Sequence, residues 1–323
     1  MGHTERTERA ERRDLERGER GKAKAAIGVC TASRSEWGLI QPVLRRLERS
    51  PFFNVHTLFI QPGSFQDGYT IGRQSSYLDL AITPFDRFEM LGAAIGFYEA
   101  AVPTAQIHAG DLSLEGTLDD YARHMITLTT SIQFCCSPAS YLRTMQFLEL
   151  VGKDTDRCYE VGSIHMDDLQ IDYSACPGEP FDLVLYNPPT RRLDLMKKEL
   201  DEIERLIGDR LVVWIEPNED PGRRYILYRI QKIILQKDIV LQNTLPRPSY
   251  LGLLERCERA IGNSSSFFYE LPYFGKRHIH VGVRNKGRET PEIRPGGSDR
   301  IVAILEKLWR NGGFGGVGEL GGG

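Results

Sequence analysis

The chain has 323 residues, of which 41% are hydrophobic, 26% charged and 9% aromatic. That is the composition of a globular protein, too long for one ordinary core and suited to two domains of roughly 150 residues each. A formal net charge of −3 spreads no positive field toward a nucleic-acid backbone or an anionic membrane surface, so any bound anion must be held by a local site. No stretch approaches the roughly 20 apolar residues of a membrane span, and the N-terminus lacks the apolar core of a signal peptide, so a cytoplasmic protein without nucleic-acid or membrane partners is expected.

Residues 1–24 alternate acidic and basic side chains with almost nothing apolar to bury, and are expected to be a solvated tail. Short apolar runs then alternate with segments of helical period, the pattern of βαβ units and a mainly parallel sheet. Strands are expected at 25–31, 54–60, 78–82, 104–108, 132–136 and 157–161, with helices at 36–49, 87–101, 119–130 and 138–151. The segment QPGSFQDGYT (61–70) reads as a loop, and Gly116 and Thr117 read as turn and cap chemistry.

Around Ile171 to Pro180 the periodicity stops in a Pro, Gly and acidic stretch, which sets a boundary between domains at 25–172 and 173–310. The second series has expected strands at 181–186, 211–215, 238–241, 258–261 and 278–282, and helices near 191–207, 219–236, 248–256, 265–274 and 299–310. Residues 311–323 hold a formal G-x-G-x-x-G at Gly313, Gly315 and Gly318, but no strand precedes it and no helix follows, so this segment is assigned to a disordered tail. The fold class is α/β, with two Rossmann-like domains facing a cleft.

In such sheets, ligands gather beyond the carboxyl ends of the strands. There the sequence places Ser33, Arg34 and Glu36 after the first strand, Asp86, Arg87 and Glu89 after the third, and His108 and Asp111 after the fourth. Asp86, Asp111, Asp119 and Asp120, with Arg123 and His124, form a stretch in which carboxylates and imidazole can share proton transfer; first-turn acids and a core histidine are the plain alternative. GNSSS (262–266) sets Ser264, Ser265 and Ser266 at an expected helix start, a recipe for holding phosphate or simply for N-capping. Arg34, Arg284 and Arg288, with Lys286, read as a diphosphate clamp or as surface cations.

The six cysteines, at 30, 135, 136, 158, 176 and 257, show neither metal-ligand spacing nor the density of a disulfide scaffold. They read as reduced, mostly buried thiols. Cys135 and Cys136 are expected on opposite faces of a strand as core filling, and no metal and no cofactor is expected.

The segments CTASRSEWGLIQPVLRRL (30–47), FDRFEMLGAA (85–94), IHAGDLSLEGTLDDYARHMIT (107–127), IGNSSSFFYELPYFG (261–275) and VGVRNKGRE (281–289), in this order, resemble the hydrolysing UDP-N-acetylglucosamine 2-epimerases. The resemblance implies a glycosyltransferase-B-like fold, a UDP-2-acetamido sugar as substrate and release of UDP with inversion at C2, by elimination to a glycal and hydration to N-acetylmannosamine. By that resemblance Arg34, Ser265, Ser266 and Arg284 contact the nucleotide or its diphosphate and Glu270 holds the ribose. Asp86, Asp111 and Asp120, with His124, form the catalytic set, and Arg87, His108, Arg123, Asn187, Ser264 and Arg288 join the substrate-binding set.

The family pattern is broken at four places. Phe85 replaces a glycine, Asp111 a glutamate and Asn187 a histidine, and the spacing between QPGSFQDGYT and FDRFEM is short, as though a helix and a strand of the first domain were missing. A sheet edge exposed by such a loss needs covering, and a homo-oligomer, dimer or tetramer, is expected. A glycosyltransferase-like enzyme and a non-catalytic sugar-nucleotide-binding protein remain as alternatives.

Overall fold

In the computed structural model, residues 24–112, 119–189, 192–243, 245–290 and 294–315 are described. They divide into two compact units, one drawn from Met1–Asp111, Asp119–Asp167 and Arg294–Gly323, the other from Leu112–Leu118 and Asp168–Ile293. Residues 1–23 of the charged tail, Gly116, Thr117 and Gly318 lie outside the described residues. Among the described residues no helix is long and apolar enough to cross a membrane.

The first unit is built on six parallel strands, β1 (Ala25–Thr31), β2 (Phe53–Phe59), β3 (Leu80–Pro84), β4 (Thr104–Ile107), β5 (Ile132–Cys135) and β6 (Cys158–Glu160). Their order across the sheet is β2-β1-β3-β4-β5-β6. Between them run α1 (Arg34–Arg49), α2 (Phe65–Gln74), α3 (Phe88–Glu99), α4 (Asp119–Thr129) and α5 (Pro138–Leu150). β3, β4 and β5 are buried at every position, which is why they appear in the sequence as continuous apolar runs rather than alternating ones.

Three expectations are corrected here. The expected loop 61–70 carries most of α2. Its only fully buried residues are Gly68 and Gly72, while Phe65 and Ile71 pack on the core in part, so few large apolar residues mark it as a helix. These glycines meet Gly92 and Gly96 of α3, and the two helices pack backbone to backbone: a Cβ built on Gly92 would lie 2.2 Å from the Phe65 carbonyl oxygen, and one on Gly72 2.4 Å from that of Ala93.

The second correction concerns α10 (Gly297–Arg310), expected in the second domain. It packs on the first unit, where Ile301, Val302 and Leu305 join the core of β1 and α1. Arg46 grips Asp299 through two hydrogen bonds of 2.6 and 3.1 Å, and Asp167 caps the helix start by accepting from Gly296 N and Ser298 N at 2.6 and 2.7 Å. The third concerns the expected disordered tail: Phe314 is buried in the same core and stacks on Trp309.

The second unit holds five parallel strands, β7 (Phe181–Leu185), β8 (Leu211–Ile215), β9 (Ile239–Gln242), β10 (Arg259–Gly262) and β11 (Arg277–His280), in the order β11-β10-β7-β8-β9. Its helices are α6 (Met196–Leu206), α7 (Arg223–Ile234), α8 (Arg247–Arg256) and the single turn α9 (Ser266–Tyr269), which a 3-10 turn, Leu271–Phe274, follows. The ten-residue helix expected over 265–274 is therefore broken at Glu270, two residues before Pro272, whose ring and missing N–H end a helix.

Two measurements test this packing. Gly92→Ala should cost about 1–3 kcal/mol, because neither backbone can retreat, and its denaturant midpoint should fall against that of Gly178→Ala, a site with open space around it. On β11, burial lowers the pKa of both His278 and His280 below the ordinary 6.5. The folded state then binds these protons less readily than the unfolded chain, so the stability they contribute is intact above 6.5 and is lost as pH falls below it toward the lowered values. Thermal unfolding of a His278→Gln, His280→Gln double variant should show a smaller acid loss than wild type.

Candidate active site

In the first unit, the loops beyond β3 and β4 and the first turn of α4 itself converge on Arg123 of α4, whose side chain is 1% exposed. One guanidinium nitrogen donates to Asp86 Oδ2, beyond β3; the other donates to the Asp111 carbonyl oxygen at 2.6 Å and to Asp120 Oδ1 at 2.8 Å. Behind it, buried Gln106 on β4 donates to the Arg123 carbonyl at 3.0 Å and accepts from Thr127 at 2.7 Å. A buried guanidinium must recover its lost hydration from acceptors, and these partners supply that compensation.

The Asp111 carboxylate is held from two sides. His108 Nδ1 lies 3.0 Å from Oδ2, and the Cys136 thiol donates to Oδ1 at 2.9 Å. Burial, and then the neighbouring Asp111, pushes the Cys136 thiol well above the ordinary cysteine range. One donor atom from each of His108, Asp111 and Cys136 lies within 4.8 Å of the others, and among the described residues these three could share an ion.

Two residues here carry left-handed backbone, Phe85 at φ 65° and His108 at φ 64°. This accounts for the glycine that the resemblance places at position 85. Phenylalanine there has a strained backbone, offset by ring contacts with His108 and His165 at centroid distances of 5.5 and 6.1 Å. Gly110 (φ 74°) passes so close to α5 that a Cβ would sit 2.2 Å from the Ser140 carbonyl oxygen.

The remaining expected residues of this unit stand apart from Arg123. Arg87 donates to Glu89 at 2.6 Å and faces Glu36 at 3.6 Å. Glu36 also closes the capping box at Ser33, and burial raises its pKa. His124 rests against Phe147 of α5 at 5.9 Å; burial, then Arg123 and Arg143, lowers its pKa. Successive helical residues point about 100° apart, so Arg123 and His124 leave α4 on different faces. The side chain of Arg34 lies outside the described residues.

In the second unit, buried Asn263 ties the strand ends together. It accepts from Asn187 N at 2.7 Å and donates to the Asn187 carbonyl at 2.8 Å, while Asn285 donates to the Asn263 carbonyl at 2.7 Å. Asn187 spends its side-chain oxygen on Asn218 N at 2.9 Å. Ser264 and Ser266 share a 2.9 Å hydroxyl contact, Tyr250 bonds to Ser266, and Ser265 is exposed. Glu270 accepts from Arg247 at 2.6 Å. Arg284 donates to the Pro188 carbonyl at 2.7 Å and to Asp220 at 3.2 Å, and Arg288 to Tyr269 Oη at 2.9 Å and Asn285 Oδ1 at 2.8 Å.

The family sequence model described as UDP-N-acetylglucosamine 2-epimerase matches residues 74–311, well over half of the chain. The chain belongs to the UDP-N-acetylglucosamine 2-epimerase family. A UDP-N,N'-diacetylbacillosamine 2-epimerase (hydrolyzing) of Legionella pneumophila subsp. pneumophila is 27% identical over 250 residues, 73% of this chain and 63% of the relative, so the aligned part spans less than two thirds of that protein. A UDP-N-acetylglucosamine 2-epimerase of Neisseria meningitidis serogroup B is 23% identical over 308 residues, 80% of each chain. Among solved structures, the S. aureus MnaA-UDP co-structure superposes with a TM-score of 0.75 at 13% identity, covering 92% of this chain and 100% of that one, a likeness of fold.

Within this family fold, the structure brings Asp86, Asp111, Asp120, Arg123 and His108 into one network, and Asn187, Ser264, Ser266, Glu270, Arg284 and Arg288 to the strand ends of the other unit. Reading the sequence missed Cys136, Asn285 and Arg247. Cys136 and Asn285 each follow a parallel strand, the signal that marked the others. Arg247 opens a helix, and only the fold sets it against Glu270.

The Arg123 network predicts that Arg123→Gln, which leaves Asp86 and Asp120 without their shared cation, loses about 3–5 kcal/mol in denaturant unfolding. A second change, Asp86→Asn, should restore part of that loss. A loss under about 1 kcal/mol would mark these contacts as no stronger than surface ion pairs.

Proposed function

We propose that the protein is a hydrolysing UDP-sugar 2-epimerase that acts in the cytoplasm, takes a UDP-2-acetamido sugar and releases UDP and the C2-epimeric free sugar. The observation that carries this reading is the first-unit network, in which Asp86, Asp111 and Asp120 stand around one buried guanidinium beside His108. Elimination takes a proton from C2 as the C1–O bond breaks and UDP leaves. Hydration then returns a proton to C2 on the opposite face and adds hydroxide at C1, so one water is consumed and no redox change occurs. Carboxylates fixed in place are suited to both proton transfers, and Arg123 holds those of Asp86 and Asp120 and the backbone of Asp111.

The second unit is the nucleotide side of this reading. Ser264, Ser265 and Ser266 offer hydroxyls to the diphosphate. The single-turn α9 lends little dipole, so these hydroxyls, with Arg284 and Arg288, carry the recognition of the anion. Glu270, already oriented by Arg247, takes the ribose. The bound UDP of the S. aureus co-structure and the hydrolysing activity named for the Legionella relative support the same reading.

One observation favours a second reading, that of a sugar-nucleotide-binding protein without turnover. Asn187, standing where the resemblance expects a histidine, is spent on backbone links and has no proton to exchange at neutral pH.

Incubation in D2O with UDP-N-acetylglucosamine and with UDP-N,N'-diacetylbacillosamine distinguishes these readings. Free UDP together with a free sugar deuterated at C2 is the expected outcome. An epimerised sugar still joined to UDP would mean a non-hydrolysing enzyme, and UDP binding without release from either sugar would leave the binding protein. Asp86→Asn should slow UDP release by roughly 10²–10⁴-fold while calorimetry finds its UDP affinity unchanged.

A further inference from the structure

We propose that His108, Asp111 and Cys136 form a site for a thiophilic divalent cation, of which zinc is the type. The three residues offer one nitrogen, one oxygen and one sulfur donor, all buried and all within 4.8 Å of one another. Around a tetrahedral zinc, with bonds of about 2.0–2.3 Å, neighbouring donor atoms lie roughly 3.3–3.6 Å apart. The present separations of 3.0 Å (His108 to Asp111) and 2.9 Å (Cys136 to Asp111) each need open by only about half an ångström to reach that spacing, and the His108 and Cys136 donors lie within 4.8 Å of one another. Three protein ligands leave the fourth position for water, as in an open zinc site.

Charge favours the same occupant. In binding, Cys136 gives up its thiol proton to solvent and the sulfur–metal bond replaces the S–H donation to Asp111. The thiolate and the carboxylates of Asp86, Asp111 and Asp120 then stand near two guanidinium groups, that of Arg123 and that of Arg143, which donates to the Gly110 carbonyl next to Asp111, and this leaves two formal negative charges for a divalent cation to balance. The donors also sit on rigid supports. His108 and Asp111 flank Gly110, which is pressed against α5, and Cys136 directly follows β5 and precedes the capping box of α5 at Ser137. Sulfur in the donor set selects zinc or cobalt over magnesium and calcium.

An ion held here withdraws His108 and Asp111 from the chemistry proposed above, so zinc is an inhibitor of this protein. That consequence rests on the proposed function; the binding site does not.

Cobalt(II) supplies the test. Added to the reduced wild-type chain, it should produce a near-ultraviolet sulfur-to-cobalt charge-transfer band and visible bands of a tetrahedral ion, and zinc should abolish both. Cys136→Ser, which keeps a hydroxyl donor to Asp111, should lose the charge-transfer band, and Cys135→Ser should keep it. His108→Asn should weaken cobalt binding by more than the roughly 10- to 100-fold that outer-shell changes cost, so that the proposal stays testable if one variant fails to fold. A wild type without the band, or a band that survives Cys136→Ser or vanishes with Cys135→Ser, overturns the site. Zinc titration of UDP release reads the inhibition separately. A protein that binds cobalt through Cys136 but releases no UDP keeps the metal site and loses the epimerase reading.

Discussion

The first unit depends on the burial of one guanidinium. Two loops from different parts of the chain and the first turn of its own helix present oxygen atoms to Arg123, and the loops are tied together through it. The cost of an uncompensated charge in a nearly dry interior is several kcal/mol, so this arrangement is fixed more strictly than apolar packing alone would fix it. Gln106 and Thr127 extend the same network behind the arginine into the sheet. Acidic side chains become ordered groups, as the proposed proton transfers require.

The second unit reaches a similar end with neutral groups. Asn263 is an amide whose donor and acceptor are both used on the backbone of the neighbouring strand end, and Asn285 and Asn187 continue the chain of hydrogen bonds. These bonds fix the loops that carry Ser264, Arg284 and Arg288 without placing any net charge there. A neutral scaffold under positively charged arms suits the proposed diphosphate ligand, which brings its own charge. Asn285, at φ 60°, shows that strained backbone is tolerated where such bonds over-determine it.

Phe85 and His108 show the same tolerance in the first unit, and there the strain and the site coincide. Both residues turn the chain sharply just after a strand, so that the Asp86 carboxylate and the backbone carbonyl of Asp111 meet Arg123. The ring of Phe85 packs on that of His108, and His108 meets Asp111. A departure from the family glycine has thus become part of the support for the candidate site.

The sequence by itself determined the α/β class, the parallel strands and most of the residues of the candidate site, because buried parallel strands are short unbroken apolar runs and ligand-binding residues follow them. It also carried the family, through five ordered motifs. What it did not carry were features that exist only between distant segments. The α2 helix was hidden because its two fully buried residues are glycines, which carry no apolar signal, and only Phe65 and Ile71 add one. The place of α10 was hidden because an amphipathic helix states that it has a face to bury and not which core will bury it. The contact of Cys136 with Asp111 was hidden because a thiol after a strand reads the same whether it fills space or meets a carboxylate. Only the tertiary structure decided these, since close backbone approach, the choice of core and the pairing of buried polar groups are settled by which surfaces the folded chain brings together.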